Sequence, residues 1–417
     1  MRQSNKNKKI LKGIIRILIY MLGYSVFVTY LPSIVSGVDD ETLYRFMLVM
    51  EYAITFPLLY YAAKCGYNIK WGKIVAIYMT FELINAYLFL PIHEFIRGDF
   101  VMWSFFLGLF YLGQQKEFWN YFLPFCVIIL FITSLMSAYE IITSDFNYIR
   151  NKRDEDSYIV KISMGFLPVA LALCYSILTK NKRNILICSG VFAVYFIMQF
   201  YFQKRLPILR IVLYLALLMF VFKEKLTFKK GILMMSMLAL LFVGLYRYVP
   251  TELTTATIER FTERGNVSET TQSDERYLIA AKAIYETLES PRTILFGLGH
   301  GGVRFGYYFG KVIMINGKEV DGLPTDIEVG IVTLFYKYGI CFVLIMYSFL
   351  FKLLFGYRKY KDDPLAVSCW LYLAVFVFMS IVGESFPTIG APLSAALLAG
   401  SMGYLALKLR ESKIVKI

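Results

Sequence analysis

Residues 250–324 read PTELTTATIERFTERGNVSETTQSDERYLIAAKAIYETLESPRTILFGLGHGGVRFGYYFGKVIMINGKEVDGLP, the one long polar interval of this sequence. On both sides of it, apolar runs recur at about 20 residues, the length that a helix needs to cross a bilayer. Of the 417 residues, 58% are hydrophobic and 18% are charged, whereas soluble domains contain about 25% charged residues. A β-barrel would show short alternating strands instead. The pattern predicts an all-α polytopic membrane protein with its polar interval outside the bilayer.

The apolar runs predict twelve transmembrane helices, nine before the polar interval and three after it. The chain therefore has three expected parts: residues 1–249 with spans 1–9, residues 250–325 as a large outer loop, and residues 326–417 with spans 10–12. The first run follows a basic start and shows no cleavage pattern, so we interpret it as a retained helix. The predicted spans are 12–31, 43–62, 74–92, 99–114, 119–139, 158–178, 185–202, 207–223, 231–249, 326–352, 364–383 and 391–408.

The formal net charge of +14 follows the predicted topology. Most basic residues fall in the connections on one side, which the positive-inside rule makes cytoplasmic. Twelve spans place both termini on that side, and the polar interval on the outer side. Because the basic residues are explained by topology, we expect no nucleic-acid partner.

Cysteine and histidine usage limits the chemistry. None of the six cysteines falls in the polar interval, so a disulfide-stapled outer domain is excluded. The two histidines, His93 and His300, cannot form a histidine-rich zinc site, and no Walker motif is present. We therefore expect no metal and no other cofactor.

Ionisable residues inside predicted spans are the next candidates. Glu51 and Glu82 fall near the middle of the second and third spans, where carboxylates are costly and face a partner or a wet cavity. Lys161 or Lys337 offers such a partner in a structural ion pair, and a proton relay is the alternative.

The polar interval has a local pattern of its own. Two helices are predicted, at about 251–264 and about 274–289, with Pro291 past the end of the second. The apolar face of the second helix would pack down on the membrane mouth through Tyr277, Ala281, Ile284, Tyr285 and Leu288. Residues 305–322 predict a hairpin, because Asn-Gly at 316–317 favours a tight turn.

Cations gather at the predicted outer face. The short fourth outer connection carries Lys204 and Arg205, with Arg210 close behind. They indicate either an anion site at the membrane surface or ordinary snorkelling toward headgroups. In the polar interval, His300 and Arg304 flank a glycine-rich turn, whose backbone N–H groups could bind an anion or simply connect two elements. The interval also carries Arg264 and Arg276.

Three stretches resemble one known family. Residues 273–276 (SDER), 290–299 (SPRTILFGLG) and 324–340 (PTDIEVGIVTLFYKYGI) are similar to the outer loop of the O-antigen ligase and Wzy-type polysaccharide polymerase superfamily. Lys204-Arg205 stands where family members carry a serine-arginine motif. The resemblance covers about residues 199–340, while the first half matches only in its number of spans.

The resemblance implies a glycosyltransferase in the cytoplasmic membrane of a bacterium. Arg205 and Arg276 would bind the diphosphate of an undecaprenyl-linked oligosaccharide, the expected donor and acceptor, with Lys204, Arg210, Arg264, Arg304 and His300 as further contacts. Family ligases carry histidine and asparagine where this chain has Thr325-Asp326. That departure favours the polymerase, with Asp326 or Glu328 as catalytic base beside Arg276. Membrane lipids, a chain-length regulator and a flippase are the other implied partners.

Three rival functions remain open. A ligase would join the glycan to a different acceptor, and a lipid-linked oligosaccharide flippase would translocate without elongation. A metal-dependent glycosyltransferase would use acidic pairs such as Asp39-Asp40 or Asp154-Glu155-Asp156.

Overall fold

The structure, a computed structural model, describes residues 2–34, 40–65, 100–143, 166–201, 205–222, 280, 283–298, 313–315, 318–320, 329–382 and 392–414. Almost all of these residues are helical. The elements in chain order are α1 (Arg2–Ile34), α2 (Asp40–Cys65), α3 (Val101–Gly113), α4 (Lys116–Thr143), α5 (Phe166–Leu178), α6 (Lys182–Tyr201), α7 (Arg205–Phe222), α8 (Pro291–Phe296), β1 (Ile313–Ile315), β2 (Lys318–Val320), α9 (Gly330–Phe355), a 3₁₀ turn (Tyr357–Lys359), α10 (Pro364–Val382) and α11 (Pro392–Ile414).

Four of the described helices are long and apolar enough to cross a membrane, and they confirm the all-α membrane class. They are Arg45–Lys64, Gly330–Phe355, Pro364–Val382 and Pro392–Ser412, where the sequence predicts spans 2, 10, 11 and 12. Shorter apolar helices at Val101–Gly113, Leu167–Leu178 and Leu209–Phe222 fall within spans 4, 6 and 8. Predicted spans 74–92 and 231–249 lie outside the described residues, so the count of twelve stays a prediction.

The chain divides into two compact units. One comprises Met1–Ile129 together with Arg276–Ile417, and the other comprises Leu130–Glu275. In the second unit α6 packs against both α5 and α7. Tyr214 of α7 donates from its buried hydroxyl to the carbonyl oxygen of Ala170 in α5, at 2.6 Å. That hydrogen bond links the first and last of these three helices.

Helix α3 lies at the centre of the first unit. Of its 13 residues, all but Leu107 are buried, because α2, α9 and α11 contact it on different sides. Toward α2, a Cβ at Gly108 would lie 3.1 Å from Cγ of Leu58. Toward α9, the ring of Trp103 lies 5.5 Å from that of Tyr338 and 4.9 Å from that of Phe342. Edge-on aromatic contacts of this kind join helices firmly.

One carboxylate joins the turn before α10 to the last helix. Oδ1 of Asp363 accepts from the backbone N–H groups of Leu365 and Ala366 at 3.0 and 3.1 Å. Its Oδ2 accepts from the hydroxyl of Tyr404 at 3.0 Å and lies 3.1 Å from Nζ of Lys408. Asp363 therefore both caps α10 and binds α11.

Replacing Asp363 with alanine is expected to lower the free energy of unfolding by about 2 kcal/mol. The lost cap accounts for about 1 kcal/mol and the lost Tyr404 hydrogen bond for roughly another. The half-exposed ion pair with Lys408 adds little. Thermal unfolding of the purified protein measures the effect, with Asp362→Ala at the exposed neighbouring position as control. Equal losses in the two variants would contradict this role of Asp363.

The polar interval contributes the two described strands. Ile313–Ile315 pairs antiparallel with Lys318–Val320, and Ile315 faces Lys318. This register leaves Asn316 and Gly317 as the connection, so the antiparallel pair that the sequence predicts is present.

The predicted apolar face of the second loop helix is not packed against the described part of the protein, and its packing on the membrane stays a prediction. Residues 283–287 are helical, but Ile284, Tyr285 and Leu288 are exposed. The buried side chains are instead Ala283 and Thr287, together with Ala280. Small side chains let this helix lie close to the start of α9. The sequence pattern had instead predicted that its large apolar side chains would be buried. Tyr277 and Ala281 lie outside the described residues.

Candidate functional site

The candidate site is the junction between residues 283–298 of the polar interval and α9. It begins at a short helix that starts sharply. Ser290 is extended, its Oγ accepts from the backbone N–H of Thr293, and Oγ1 of Thr293 accepts from the backbone N–H of Ser290, both at 3.2 Å. Pro291 occupies the first helical position, where its missing N–H costs nothing. This capping box makes α8 a defined single turn instead of an irregular loop.

A second hydrogen bond holds α8 against the preceding helical residues. Oγ1 of Thr293 also lies 2.8 Å from the carbonyl oxygen of Thr287, which is itself fully buried. These hydrogen bonds hold residues 283–298 together as one folded segment. Its end, at Gly297 and Leu298, meets α9.

Two glycines form the contact between this piece and α9. Gly297 (φ +75°) and Gly339 (φ +76°) both have positive φ with extended ψ, a region that only glycine populates readily. A Cβ at Gly297 would lie 2.4 Å from the carbonyl carbon and oxygen of Lys337. A Cβ at Gly339 would lie 2.2 Å from the carbonyl oxygen of Leu295. The two backbones touch, and each glycine makes room for the other segment.

The contact coincides with a break in α9. Gly339 is non-helical inside Gly330–Phe355. The backbone N–H of Leu298 donates to the carbonyl oxygen of Tyr336 at 2.8 Å. In an unbroken helix that carbonyl accepts from the residue four positions further on. Broken helices at membrane depth need such replacement partners, because an unsatisfied backbone group there costs several kcal/mol. The outer loop supplies one.

Apolar packing completes the junction. Ala280, Ala283 and Leu298 from the loop form one buried cluster with Val329, Val332 and Tyr336 from the start of α9. These contacts join residues 280–298 of the polar interval and the first turns of α9 in a single packed body. In the sequence, Glu328 directly precedes Val329, and Asp326 stands three positions before it.

Lys337 is the buried charged residue among the described residues of this junction. Its side chain is 6% exposed although it belongs to a helix of membrane-spanning length. The backbone of Lys337 is in direct contact with Gly297. Burying an ammonium group is costly, and an ionisable residue within a span marks a functional site by default. Burial of Glu51 (2% exposed) likewise agrees with its predicted position inside a span.

The arginine-based part of the predicted site is described only at α7. Arg205 is the first residue of that helix. Arg210, five residues later, is buried at 7% exposure, whereas snorkelling to the surface would leave it more exposed. The remaining predicted site residues lie outside the described residues: Lys204, Arg264, Arg276, His300, Arg304, Asp326 and Glu328. Their roles stay predictions, as do those of Glu82 and Lys161.

Sequence reasoning missed two features of the junction. Pro291 was interpreted as following a helix, although Ser-Pro with threonine two positions further on also marks the start of one. The break at Gly339 left no pattern in the apolar run. Lys337 was noted only as a candidate ion-pair partner.

Comparison with known proteins gives no matching family model and no matching curated protein. A buried cation, a helix interrupted beside it and a loop fixed to both can bind an anionic group at the membrane face. The basic residues of the outer loop have the same chemical preference.

Proposed function

We propose that this protein is a polysaccharide polymerase that joins undecaprenyl-diphosphate-linked oligosaccharide units at the outer face of the cytoplasmic membrane. The observation that supports this most is the docking of the outer loop on a broken span beside the buried Lys337. A loop held in this way keeps its polar groups at the membrane surface, where the diphosphate of a lipid-linked sugar lies. The resemblance of the loop sequences supports the same conclusion.

The reaction is an inverting glycosyl transfer. A hydroxyl of the acceptor sugar attacks the anomeric carbon of the donor, and the bond from that carbon to the diphosphate oxygen breaks. The hydroxyl proton passes to a carboxylate, Asp326 or Glu328, which has to lie within hydrogen-bond reach. Undecaprenyl diphosphate leaves as an anion, and positive charge placed where its charge develops lowers the barrier.

Arginines suit the diphosphate because they stay charged and bind two phosphate oxygens at once. Arg205 and Arg276 have this role in the proposal, with Lys204, Arg210, Arg264, Arg304 and His300 as further donors. No metal ion takes part. A chain-length regulator and the flippase that delivers the substrate are the proposed protein partners.

Incubation of the purified protein with a lipid-linked repeat unit is expected to give a ladder of products on a gel. Arg276→Ala should lose the ladder, because one cation bound to the developing charge contributes about 10²–10³-fold in rate. Arg358→Ala is the matched control, since Arg358 is exposed on the turn after α9, and it should keep the ladder. Full elongation by Arg276→Ala would contradict the assigned role.

The same assay separates the rival functions. Elongation that persists in EDTA supports the metal-independent reaction, and loss that magnesium or manganese restores supports a metal-dependent glycosyltransferase. Transfer only to a different acceptor identifies a ligase. Translocation of lipid-linked units without elongation identifies a flippase.

A further inference from the structure

Lys337 has no task in the mechanism proposed above, which uses outer-loop arginines and carboxylates. Yet it is among the most deeply buried charged side chains that the structure describes, with Glu51 at 2%, Lys337 at 6% and Arg210 at 7% exposure. Its helix is of spanning length. Because placing a lysine there is costly, a role beyond packing is expected for its charge.

The position of Lys337 suits a group at the membrane surface. It follows the start of α9 at Gly330 by seven residues, about 10 Å along the helix axis. With Gly330 at the outer edge of the headgroup layer, which is roughly 5–8 Å thick, Lys337 would lie just beneath that layer. Side chains on a helix tilt toward its N-terminus. For Lys337 that direction leads toward the outer loop.

The docked loop fixes this position. Gly297 rests on the backbone of Lys337, and Leu298 donates to the neighbouring carbonyl of Tyr336. Arg292 lies on the same docked turn and is half-buried. It precedes Gly297 by five residues, about 7.5 Å along a helix. Two cations are thus carried by segments that touch each other.

We propose that Lys337 binds a phosphate of the lipid-linked diphosphate, beside the docked turn that carries Arg292. This inference rests on the proposed function and adds a substrate-binding residue to it. A lysine ammonium is an effective point charge for phosphate. Bound there, it stabilises the charge that develops as undecaprenyl diphosphate leaves.

The competing interpretation is a purely structural ion pair between Lys337 and Glu51. Treatment of the wild-type protein in nanodiscs with a water-soluble carbodiimide distinguishes the two. The reagent activates a phosphate or a carboxylate, and the amine of Lys337 then displaces the urea to form a P–N or an amide bond. With undecaprenyl diphosphate present, mass spectrometry should find the phosphoramidate on Lys337. Its absence overturns the proposal, whether or not an amide to Glu51 forms.

Binding to variants tests the same point. Lys337→Met should weaken the affinity for undecaprenyl diphosphate at least tenfold, and Lys337→Arg should keep it within about threefold. Lys352→Met is the matched control, because Lys352 is exposed in the last turn of the same helix, and its affinity should not change. Unchanged affinity in Lys337→Met overturns the proposal. If that variant does not fold, the carbodiimide experiment decides.

Two further probes identify the source of the phosphate. Inorganic diphosphate and phosphatidylglycerol nanodiscs are compared with undecaprenyl diphosphate in phosphatidylcholine nanodiscs. Coupling to the undecaprenyl lipid alone supports the proposal, whereas equal coupling to phosphatidylglycerol overturns it in favour of a general headgroup contact. Failure of the proposed function is a separate outcome: lipid diphosphate then couples to Lys337 although the protein forms no polymer.

Discussion

Replacing Gly339 with alanine is expected to lower the free energy of unfolding by about 2–6 kcal/mol and to detach residues 283–298 from α9. The backbone conformation of Gly339 costs any other residue about 1–3 kcal/mol. The new methyl carbon would also lie 2.2 Å from the carbonyl oxygen of Leu295, and such overpacking costs about 1–3 kcal/mol. Thermal unfolding and limited proteolysis within residues 283–298 measure the two effects.

Gly297→Ala tests the same contact from the other segment. Its Cβ would lie 2.4 Å from the backbone of Lys337, so it opens the same contact from the other side. Because either change alone separates the segments, the double variant should lose little more than a single one. Gly13→Ala is the control, since nothing lies within 4 Å of that position. Additive losses, or a protease-resistant loop in Gly339→Ala, would contradict the reciprocal contact.

The sequence predicted the features that have a local signal, namely the membrane spans and the tight turn. Apolar runs of spanning length located α2, α9, α10 and α11, because a bilayer sets one minimum length for every span. The Asn-Gly pair located the strands β1 and β2, since few other sequences allow so tight a turn. Both signals are local and need no knowledge of neighbouring elements.

The candidate site was harder to predict from the sequence, because it depends on contacts between residues that are far apart along the chain. Gly297 and Gly339 are separated by 42 positions (339 − 297), and each has its special backbone only because of the other. Ala280 and Ala283 are buried for the same reason, because their small side chains allow the two segments to approach closely. Alanine is only weakly hydrophobic, so the sequence pattern did not indicate that these two residues would be buried. The break in α9 and the burial of Lys337 follow from docking, which single-chain periodicity does not encode.

The contact between α3 and α11 is another place where glycines bring backbones together. A Cβ at Gly403 would lie 1.9 Å from the carbonyl oxygen of Phe110, and one at Gly113 would lie 2.2 Å from the carbonyl oxygen of Gly400. Neither position leaves room for a methyl group, and neither neighbour is a flexible side chain. The buried centre of the first unit therefore depends on this pair of helices staying close.

Gly403→Val is expected to destabilise the protein by about 3 kcal/mol or more, the upper end of overpacking effects. In an exposed helix, glycine to alanine stabilises by about 1 kcal/mol, so Gly190→Ala, with nothing within 4 Å, should raise the unfolding temperature. Gly400→Ala is the close control on α11, because its Cβ would meet only ring carbons, at 3.2 Å or more. If Gly403→Val and Gly400→Ala unfolded at the same temperature, helix packing through Gly403 would be disproved. Comparing Gly403→Ala with Gly400→Ala separates backbone contact from helix propensity, because alanine gains equally in propensity at both positions. A Cβ at Gly403 would meet a backbone oxygen at 1.9 Å, whereas one at Gly400 would meet ring carbons at 3.2 Å or more.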